Sequence, residues 1–470
     1  MAKENMDEKL KLMDQKIKAD AEVLYERYRD QMDLLKGSLL GKVKGGIEPY
    51  DVYALGKQLE AFDTYIAMCE DDGNLGQLGK IPQIAYDVIT VAYGTSVVPF
   101  IASVQPIEEE SGHVYFKQIR ADQARGNMAA GDVMIDPRTG VKTPSGYASN
   151  YISGEVAAVT VGGVTHYAFT TAQTPIRPQT IRVTVDGITP YAFDDGLGVL
   201  QGVGLSGTVT YFSGAIVIDF AANPGAGHNI YLEYQVNFEQ ADDLPRISSY
   251  FDSTSILARV YALKGTIGML QSYGMRKRFG LVAEDELAKD LVAEINAEIG
   301  GDLIRLLAAS YMGNTNWPKT PPANVSYYEH KQTFKDSLAD SEAVLVGNAQ
   351  RGTISTMIAG RNACAIMQTL PGFNKLTDGN TLGAHVFGTL DGVMIIRVNE
   401  AAILNPNYMI NMWKGTSPFE APCVYSPFMP LVVTSTLPAG KNPIGQQRAA
   451  AVWAGVKVLV AQFITRMTVT

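Results

Sequence analysis

The stretch from residue 281 to residue 312 constrains the fold more than any other, because its apolar residues recur every four positions. This spacing places them along one face of a helix. A helix of about 28 residues would be roughly 40 Å long, well beyond the mean of about 11–12 residues. Gly300 and Gly301 each cost about 1 kcal/mol relative to alanine, so we expect a bend or a close backbone contact there. The predicted core residues of this helix are Leu287, Leu291, Ile295, Ile299 and Leu303.

Residues 1–36 are predicted to form one amphipathic helix that ends at Gly37. Apolar residues recur there at intervals of three or four residues, with one interval of seven, and charged residues fill the gaps. The apolar stripe is too thin to be stable alone, so the helix needs a partner. Two interpretations stay open: the helix docks on its own domain, or it contacts a neighbouring subunit. Mixed helical and irregular segments follow it, up to residue 111.

Two regions of β character come next. Residues 112–158 begin with an alternating pattern and pass into a polar stretch rich in Gly, Asp, Pro and Ser, which predicts an extended β-hairpin loop. Residues 159–238 contain period-2 strands separated by turn residues, which predicts an inserted, sandwich-like all-β domain. The residues expected to face its core are Ile181, Val183, Val185, Ile216, Ile218, Phe220, Ile230, Leu232, Tyr234 and Val236.

The segment Lys414–Val433 is apolar, yet prolines interrupt it repeatedly. Proline lacks an amide donor and fixes φ, so it breaks helices and strand ladders. We therefore expect an extended and irregular path. Cys423, in the middle of the segment, has no histidine near it in sequence and is interpreted as a buried structural thiol rather than a nucleophile. The residues that define this segment are Gly415, Pro418, Pro422, Pro427 and Pro430.

The composition argues against several classes of function. A net charge of −9 and a pI near 5.2 are not those of a protein with a basic nucleic-acid-binding surface throughout. The three cysteines are widely spaced and suit a reducing compartment. No histidine pair has zinc-binding spacing, and neither a nucleophile elbow nor a phosphate-binding loop occurs. We therefore predict no catalytic residue, no cofactor and no metal, and hence no enzyme.

Two further features of the sequence bear on where the protein acts. Residues 274–280 hold three basic residues, which we expect to contact another subunit rather than nucleic acid. The first 36 residues lack an apolar signal region, and no apolar run reaches the roughly 18 residues that a membrane span needs. Both observations predict a soluble chain made in the cytoplasm.

Three segments resemble the major capsid proteins of tailed bacteriophages, in particular the T-even-like, contractile-tailed branch of the Hong Kong 97 capsid fold. Residues 288–304 resemble the spine helix of that family, and residues 413–433 resemble its proline-containing segment. Residues 442–456 are similar to its closing segment, although the aromatic residues of that segment are absent here. The order of the parts agrees as well.

The resemblance implies an α+β fold of the Hong Kong 97 type with an inserted all-β domain. It divides the chain into parts with these expected bounds: an N-terminal helix (1–36), an N-terminal arm and the start of the peripheral domain (37–111), an extended loop (112–158), the inserted β domain (159–238), the peripheral domain with the spine helix (239–340), and the axial domain with C-terminal peripheral strands (341–470). The triplet Leu24-Tyr25-Glu26 fits the cleavage pattern of the family's head protease, so cleavage of the N-terminus stays open.

The function implied by the resemblance is structural. The chain would self-assemble into hexamers and pentamers of an icosahedral head shell that encloses double-stranded DNA without sequence-specific binding. Portal, scaffold or cement proteins would be its partners, no membrane would be involved, and the virion capsid, assembled in the host cytoplasm, would be its location.

Two alternatives to the shell protein stay open. One is a phage protein that binds a glycan or receptor through the β domain, where Tyr191, Phe193 and Tyr211 look exposed. The other is an encapsulin-like nanocompartment.

Overall fold

The structure is a computed structural model, and it describes most of the 470 residues. The described ranges are 4–71, 82–135, 146–186, 191–241, 244–280, 282–349, 352–377, 383–415, 419–434, 437–439 and 442–470. Helices and strands occur in comparable amounts and are partly segregated along the chain, so the predicted α+β class is confirmed.

The helices lie mostly at the N-terminal end and in the middle of the chain. Within the described ranges they are α1 (Glu4–Arg27), α2 (Arg29–Gly37), α3 (Leu39–Lys44), α4 (Pro49–Asp71), α5 (Pro82–Thr95), α6 (Val98–Ile101), α7 (Met269–Phe279), α8 (Ala283–Ala309), α9 (Tyr327–Ala349) and α10 (Arg361–Met367), with a 3-10 turn at Ala461–Phe463. No helix in these ranges is long and apolar enough to cross a membrane.

Within the described ranges, the strands form four sheets. In chain order they are β1 (Ser103–Val104), β2 (Ser111–Ala121), β3 (Val133–Ile135), β4 (Tyr151–Val159), β5 (His166–Thr170), β6 (Arg182–Val185), β7 (Tyr191–Asp194), β8 (Val199–Val203), β9 (Leu205–Thr210), β10 (Ala215–Phe220), β11 (Asn229–Gln235), β12 (Ile247–Leu257), β13 (Arg259–Gly268), β14 (Asn314–Trp317), β15 (Thr356–Gly360), β16 (Phe373–Lys375), β17 (Ala384–Leu390), β18 (Val393–Val398), β19 (Tyr408–Met412), β20 (Cys423–Val433), β21 (Leu437–Ala439), β22 (Asn442–Val458) and β23 (Ile464–Val469).

The chain divides into two compact units. The first consists of described residues within 1–118 and 251–470, and the second of described residues within 119–135 and 146–250. The second unit therefore joins part of the predicted extended loop to the predicted β domain.

The first unit contains two large sheets. One has the strand order β1-β20-β22-β13, with β21 pairing to β22. The other has seven strands in the order β14-β23-β19-β15-β18-β17-β16. The long helix α8 packs on β22 and β13 of the first sheet. The approach to β13 is close, because a Cβ atom at Gly265 would lie 2.5 Å from the Leu287 Cδ1 atom.

Helix α8 has 27 residues and matches the long helix predicted from the sequence. Four of its five predicted core residues are buried, and Leu287 is half-buried. The two glycines mark close contacts: a Cβ atom on Gly300 would lie 3.1 Å from Val97 Cγ2, and one on Gly301 would lie 3.1 Å from Ile403 Cδ1. Small residues at these positions therefore let neighbouring side chains approach the helix backbone.

The N-terminal region differs from the single helix that we predicted for residues 1–36. Two helices, α1 and α2, occupy it, and the break falls at Tyr28, whose φ of −118° and ψ of 42° are not helical. The Tyr28 hydroxyl donates a hydrogen bond to the carboxylate of Asp63 on α4, and so does the hydroxyl of Tyr86 on α5. The break thus coincides with a tertiary contact, at a position where the apolar periodicity continues.

The predicted protease pattern lies near the end of α1. Leu24 is buried, and a Cβ atom on Gly56 would lie 2.8 Å from the Leu24 Cβ atom, so the helices α1 and α4 are in close contact. Both helices belong to the first unit, so this segment docks on its own domain.

The second unit contains an eight-stranded antiparallel sheet in the order β4-β11-β6-β7-β8-β9-β10-β5. All ten residues predicted to face the core of this domain are buried. The strands are hydrogen-bonded in a single path, and their buried residues form one core. The domain starts earlier than predicted, because its first strand, β4, begins at Tyr151 inside the predicted loop. Pairing of β4 with β11, some eighty residues later, fixes this start.

The proline-containing segment also differs from the irregular path that we predicted. Pro427 and Pro430 lie within strand β20, between β1 and β22. The register with β22 shifts between Pro427 and Met429 and again between Met429 and Val432. The prolines are thus accommodated at bulges, where a missing amide donor breaks no ladder hydrogen bond. Pro418 lies outside the described residues.

Candidate assembly surfaces

Helix α7 of the first unit has no buried residue. It lies in the chain between the edge strand β13 and the long helix α8. Its large apolar side chains face solvent, with Leu270 81% exposed and Phe279 71% exposed. We define the α7 surface as Met269, Leu270, Tyr273, Phe279 and the three basic residues Arg276, Lys277 and Arg278.

The sequence explains why α7 is a helix despite its exposure. Gly280, with a φ of 69°, ends it in the left-handed conformation that glycine adopts readily. The three basic residues occupy the last turn, where cations interact favourably with the helix dipole. The Ser272 hydroxyl donates a 3.0 Å hydrogen bond to Glu284 on α8 and anchors the helix.

The basic end of the α7 surface is available for a partner. Within the described ranges, none of its three basic residues takes part in an ion pair. Clusters of exposed apolar side chains next to charged ones mark interaction sites rather than ordinary solvent-facing surface. The sequence indicated the basic cluster, but the exposure of the apolar residues beside it became evident only in the structure.

An acidic counterpart exists elsewhere in the same unit. Glu108, Glu109 and Glu110 follow β1 in a bend, and all three are exposed. Two copies of this chain therefore carry surfaces of opposite charge, one on α7 and one at residues 108–110. Complementary charges of this kind guide the encounter and fix its register more than they add affinity.

The segment around Lys414 is held by backbone hydrogen bonds in the first unit. The Lys414 ammonium donates to the carbonyl oxygens of Pro99 at 2.5 Å and Ala102 at 2.7 Å. Burial, and then the positive charge of Lys44, lower the pKa of Lys414 to about 8. The Gly415 amide donates to the Glu420 carbonyl at 2.8 Å.

From Cys423 to Val433 the segment is strand β20, most of whose residues are buried. The carbonyl of Pro422 accepts the amides of Leu459 and Val460, at 2.8 and 3.1 Å. Burial raises the pKa of the Cys423 thiol to about 12, so the thiol stays protonated near neutral pH. Its sulfur lies 3.6 Å from the Ile101 carbonyl oxygen. Cys423 is thus a buried, protonated thiol that packs in the core of the first unit.

A cavity of about 240 Å³ lies beside Lys414 and is lined by Lys44, Asp51 and Ser355, among others. Lys44 already pairs with Asp51 at 2.7 Å and with Glu48 at 3.3 Å. The charges that line the cavity are thus balanced within it. Across the described ranges, no group of three or more His, Cys, Asp and Glu side chains could hold a metal ion.

Comparison with known proteins gives one match at the level of a family. The family described as "Major capsid protein Gp23" matches residues 81–447 of this chain. No curated protein matches the sequence.

Solved structures resemble the chain only distantly. A chain from the capsid of the jumbo bacteriophage PhiKZ is 10% identical, with a TM-score of 0.40, over 78% of this chain and 91% of that chain. A chain from the capsid of Myoviridae phage XM1 is 12% identical, with a TM-score of 0.32, over 68% of this chain and 94% of that chain. A chain of an encapsulin complex from Synechococcus elongatus is 11% identical, with a TM-score of 0.31, over 47% of this chain and 77% of that chain.

Proposed function

The chain belongs to the Gp23 family of major capsid proteins, and from this premise we propose that its copies join through the α7 surface into the hexamers and pentamers of an icosahedral phage head. A protein of this family is a structural, shell-forming protein of the virion capsid and not an enzyme. Its assembly is homo-oligomeric. The finer proposal concerns which surface makes the contacts.

The single observation that carries this proposal is the exposure of α7. A helix whose Leu270, Tyr273 and Phe279 face solvent in one subunit gains stability when a neighbour covers those side chains. The occupant is a second copy, because the shell consists of copies of this chain. The exposed residues 108–110 of that copy supply the negative charge that Arg276–Arg278 need. Because the two surfaces differ, the contact is heterologous, and such contacts close into a ring when the rotation from one copy to the next divides a full turn.

The remaining partners follow from membership in a head-forming family. We propose that portal, scaffold or cement proteins contact the shell, and that the shell assembles in the host cytoplasm. The net charge of −9 suits a shell that encloses DNA without binding it tightly, since tight binding requires many basic contacts to phosphates.

The test reverses the charge of the α7 surface. We expect the variant Arg276→Glu/Lys277→Glu/Arg278→Glu to remain folded and to stay as monomers in sedimentation velocity, whereas the unmodified chain forms capsomers or shells. The matched control is Arg177→Glu/Lys319→Glu/Lys375→Glu, which changes the net charge equally at exposed positions elsewhere. This control should assemble as the unmodified chain does.

A second variant tests the acidic partner surface. Glu108→Lys/Glu109→Lys/Glu110→Lys should also block assembly, and a chain that carries both reversals should recover it because the charges are again complementary. Shells that form normally from the α7 variant would refute the role of α7 and leave the capsid function intact. A strictly monomeric unmodified chain at high concentration would instead contradict self-assembly itself.

A further inference from the structure

The sheet of the second unit carries aromatic side chains on its solvent-facing side. In antiparallel sheets with one buried face, the other face is usually polar. Here Tyr191 is 44% exposed and Phe193 is 48% exposed, while Ala192 between them is buried. We call this side the outer aromatic face. Its members come from five adjacent strands and are Tyr151, Val156, Arg182, Thr184, Tyr191, Phe193, Gln201, Val203, Tyr231 and Glu233.

Strand register arranges these side chains in two rows across the sheet. The first row joins Val156, Tyr231, Thr184, Tyr191 and Val203, each directly opposite the next. With strands about 4.8 Å apart, this row is about 19 Å long. It is mainly apolar and aromatic, and three of its members, Tyr231, Thr184 and Tyr191, carry a hydroxyl group. The rings of Tyr231 and Tyr191, two strands apart in this row, provide apolar surface on which a ligand can stack.

The second row lies two residues away from the first on each of four strands, and it is polar except for Phe193. It joins Glu233, Arg182, Phe193 and Gln201. The Arg182 guanidinium lies over the Phe193 ring, 5.7 Å from its centroid, and the Tyr151 hydroxyl donates a 3.0 Å hydrogen bond to Glu233. These contacts fix the charged groups before any ligand arrives, which lowers the entropic cost of binding.

We propose that the outer aromatic face binds a neutral glycan built from pyranose units. The carbon–hydrogen faces of a sugar ring are apolar and stack on exposed aromatic rings, and its hydroxyl groups both donate and accept hydrogen bonds. The carboxylate of Glu233 accepts such bonds, the guanidinium of Arg182 donates them, and the amide of Gln201 does both. Rows of opposite character at neighbouring positions match a ligand with apolar faces and polar edges.

The charges of the face select this class of ligand over two others. Arg182 and Glu233 stand opposite each other, so the face has no net charge that would attract an anionic or cationic polymer. A protein partner would have to remove water from both charges, which costs more than it returns unless each gains a new partner. A glycan can supply hydroxyl groups to both.

Tyr211, which the sequence suggested as a third exposed aromatic, is not part of this face. It is half-buried, its hydroxyl donates to Asp194 at 2.6 Å, and it accepts the Gly198 amide at 2.9 Å. The residues concerned belong to a different unit from α7, so a substitution in α7 leaves the residues of the outer aromatic face unchanged.

The test measures glycan binding by the full chain, as free subunits and as assembled particles. The probes are chitohexaose, cellohexaose and maltohexaose in titration calorimetry, together with a printed array of bacterial and animal glycans. We expect at least one neutral glycan to bind with a Kd below about 1 mM. The double variant Tyr191→Ala/Phe193→Ala should weaken that binding roughly tenfold or more.

The matched control is Phe212→Ala, because Phe212 is 77% exposed in the same unit but lies in the turn between β9 and β10. It should bind as the unmodified chain does, and both variants should keep the same thermal midpoint. Absence of binding to every probe in both forms would overturn the proposal. Undiminished binding by the double variant would overturn it as well, as would capture of anionic glycans alone.

Discussion

Replacing Ile295 with alanine tests whether helix α8 carries the stability of the first unit. Ile295 is fully buried on the face of α8 that packs into the main core. It also lines a cavity of about 40 Å³ together with Ile299 and Leu431. The substitution removes three carbon atoms from a position where the surrounding side chains have already left some space unfilled.

The expected loss of stability follows from these two facts. Three buried carbon groups at about 0.8 kcal/mol each contribute about 2.4 kcal/mol of lost transfer free energy. The enlarged cavity adds a further cost, because its walls have not closed on the existing space, and Ile-to-Ala changes in cores span about 2–5 kcal/mol. We expect the free energy of unfolding to fall by about 3–5 kcal/mol, in the upper part of that range.

Tryptophan fluorescence in urea is the appropriate assay. The chain has three tryptophans, Trp317, Trp413 and Trp453, and all of them lie in the first unit, so the signal reports that unit alone. The matched control is Leu306→Ala on the same helix, where the side chain is 38% exposed and the loss should be much smaller. If the unfolding midpoints of Ile295→Ala and of the unmodified chain coincide, the assignment of α8 as the structural core is refuted.

Three further predictions concern pH, the second unit and the thiols. Burial, and then the charge of Arg397, lower the pKa of His385 below 6.5. As the pH falls below about 6.5, the unfolded chain therefore takes up this proton first, and the free energy of unfolding should decrease. The variant His385→Gln should flatten that decrease in urea titrations, and an unchanged slope would contradict the prediction. Replacing residues 151–236 with a short glycine linker should leave the tryptophan unfolding curve unchanged, because β4 and β11 pair and bring the cut ends together. Loss of the cooperative unfolding transition would show that the first unit needs the second. In a Cys69→Ala background, Cys364 and Cys423 should resist a thiol reagent in the native chain and react with it in urea. Both side chains are buried, and burial raises both thiol pKa values to about 12. Rapid reaction of the native chain would refute their burial.

The sequence alone predicted the elements whose pattern is local. Apolar spacing of four residues indicated α8, and its bounds in the structure, Ala283–Ala309, fall within the predicted stretch. Period-2 alternation identified which residues of β6, β10 and β11 face the core of the second unit. Both signals arise because backbone geometry repeats at a fixed interval, so one face of an element collects the apolar residues.

The candidate surfaces were only partly predictable. The basic cluster at residues 274–280 is visible in the sequence, but Leu270 and Phe279 could equally have been core residues of a packed helix. Likewise, Tyr191, Phe193 and Tyr211 look alike in sequence, although hydrogen bonds to Asp194 and Gly198 turn only the last of them away from solvent. Exposure depends on what other elements cover, and the sequence pattern does not record that.

Tertiary structure decided the features that depend on distant partners. The helix break at Tyr28 accompanies a hydrogen bond to Asp63 on another helix, and β4 starts at Tyr151 because β11 pairs with it. Pro427 lies inside a strand because the register with β22 shifts next to it and leaves no amide donor missing from the ladder. The sequence by itself thus determined the period and the buried face of each regular element. Where those elements begin, break and remain exposed depends on contacts between residues far apart in the chain, because hydrogen-bond partners and covering side chains come from elements that local periodicity cannot specify.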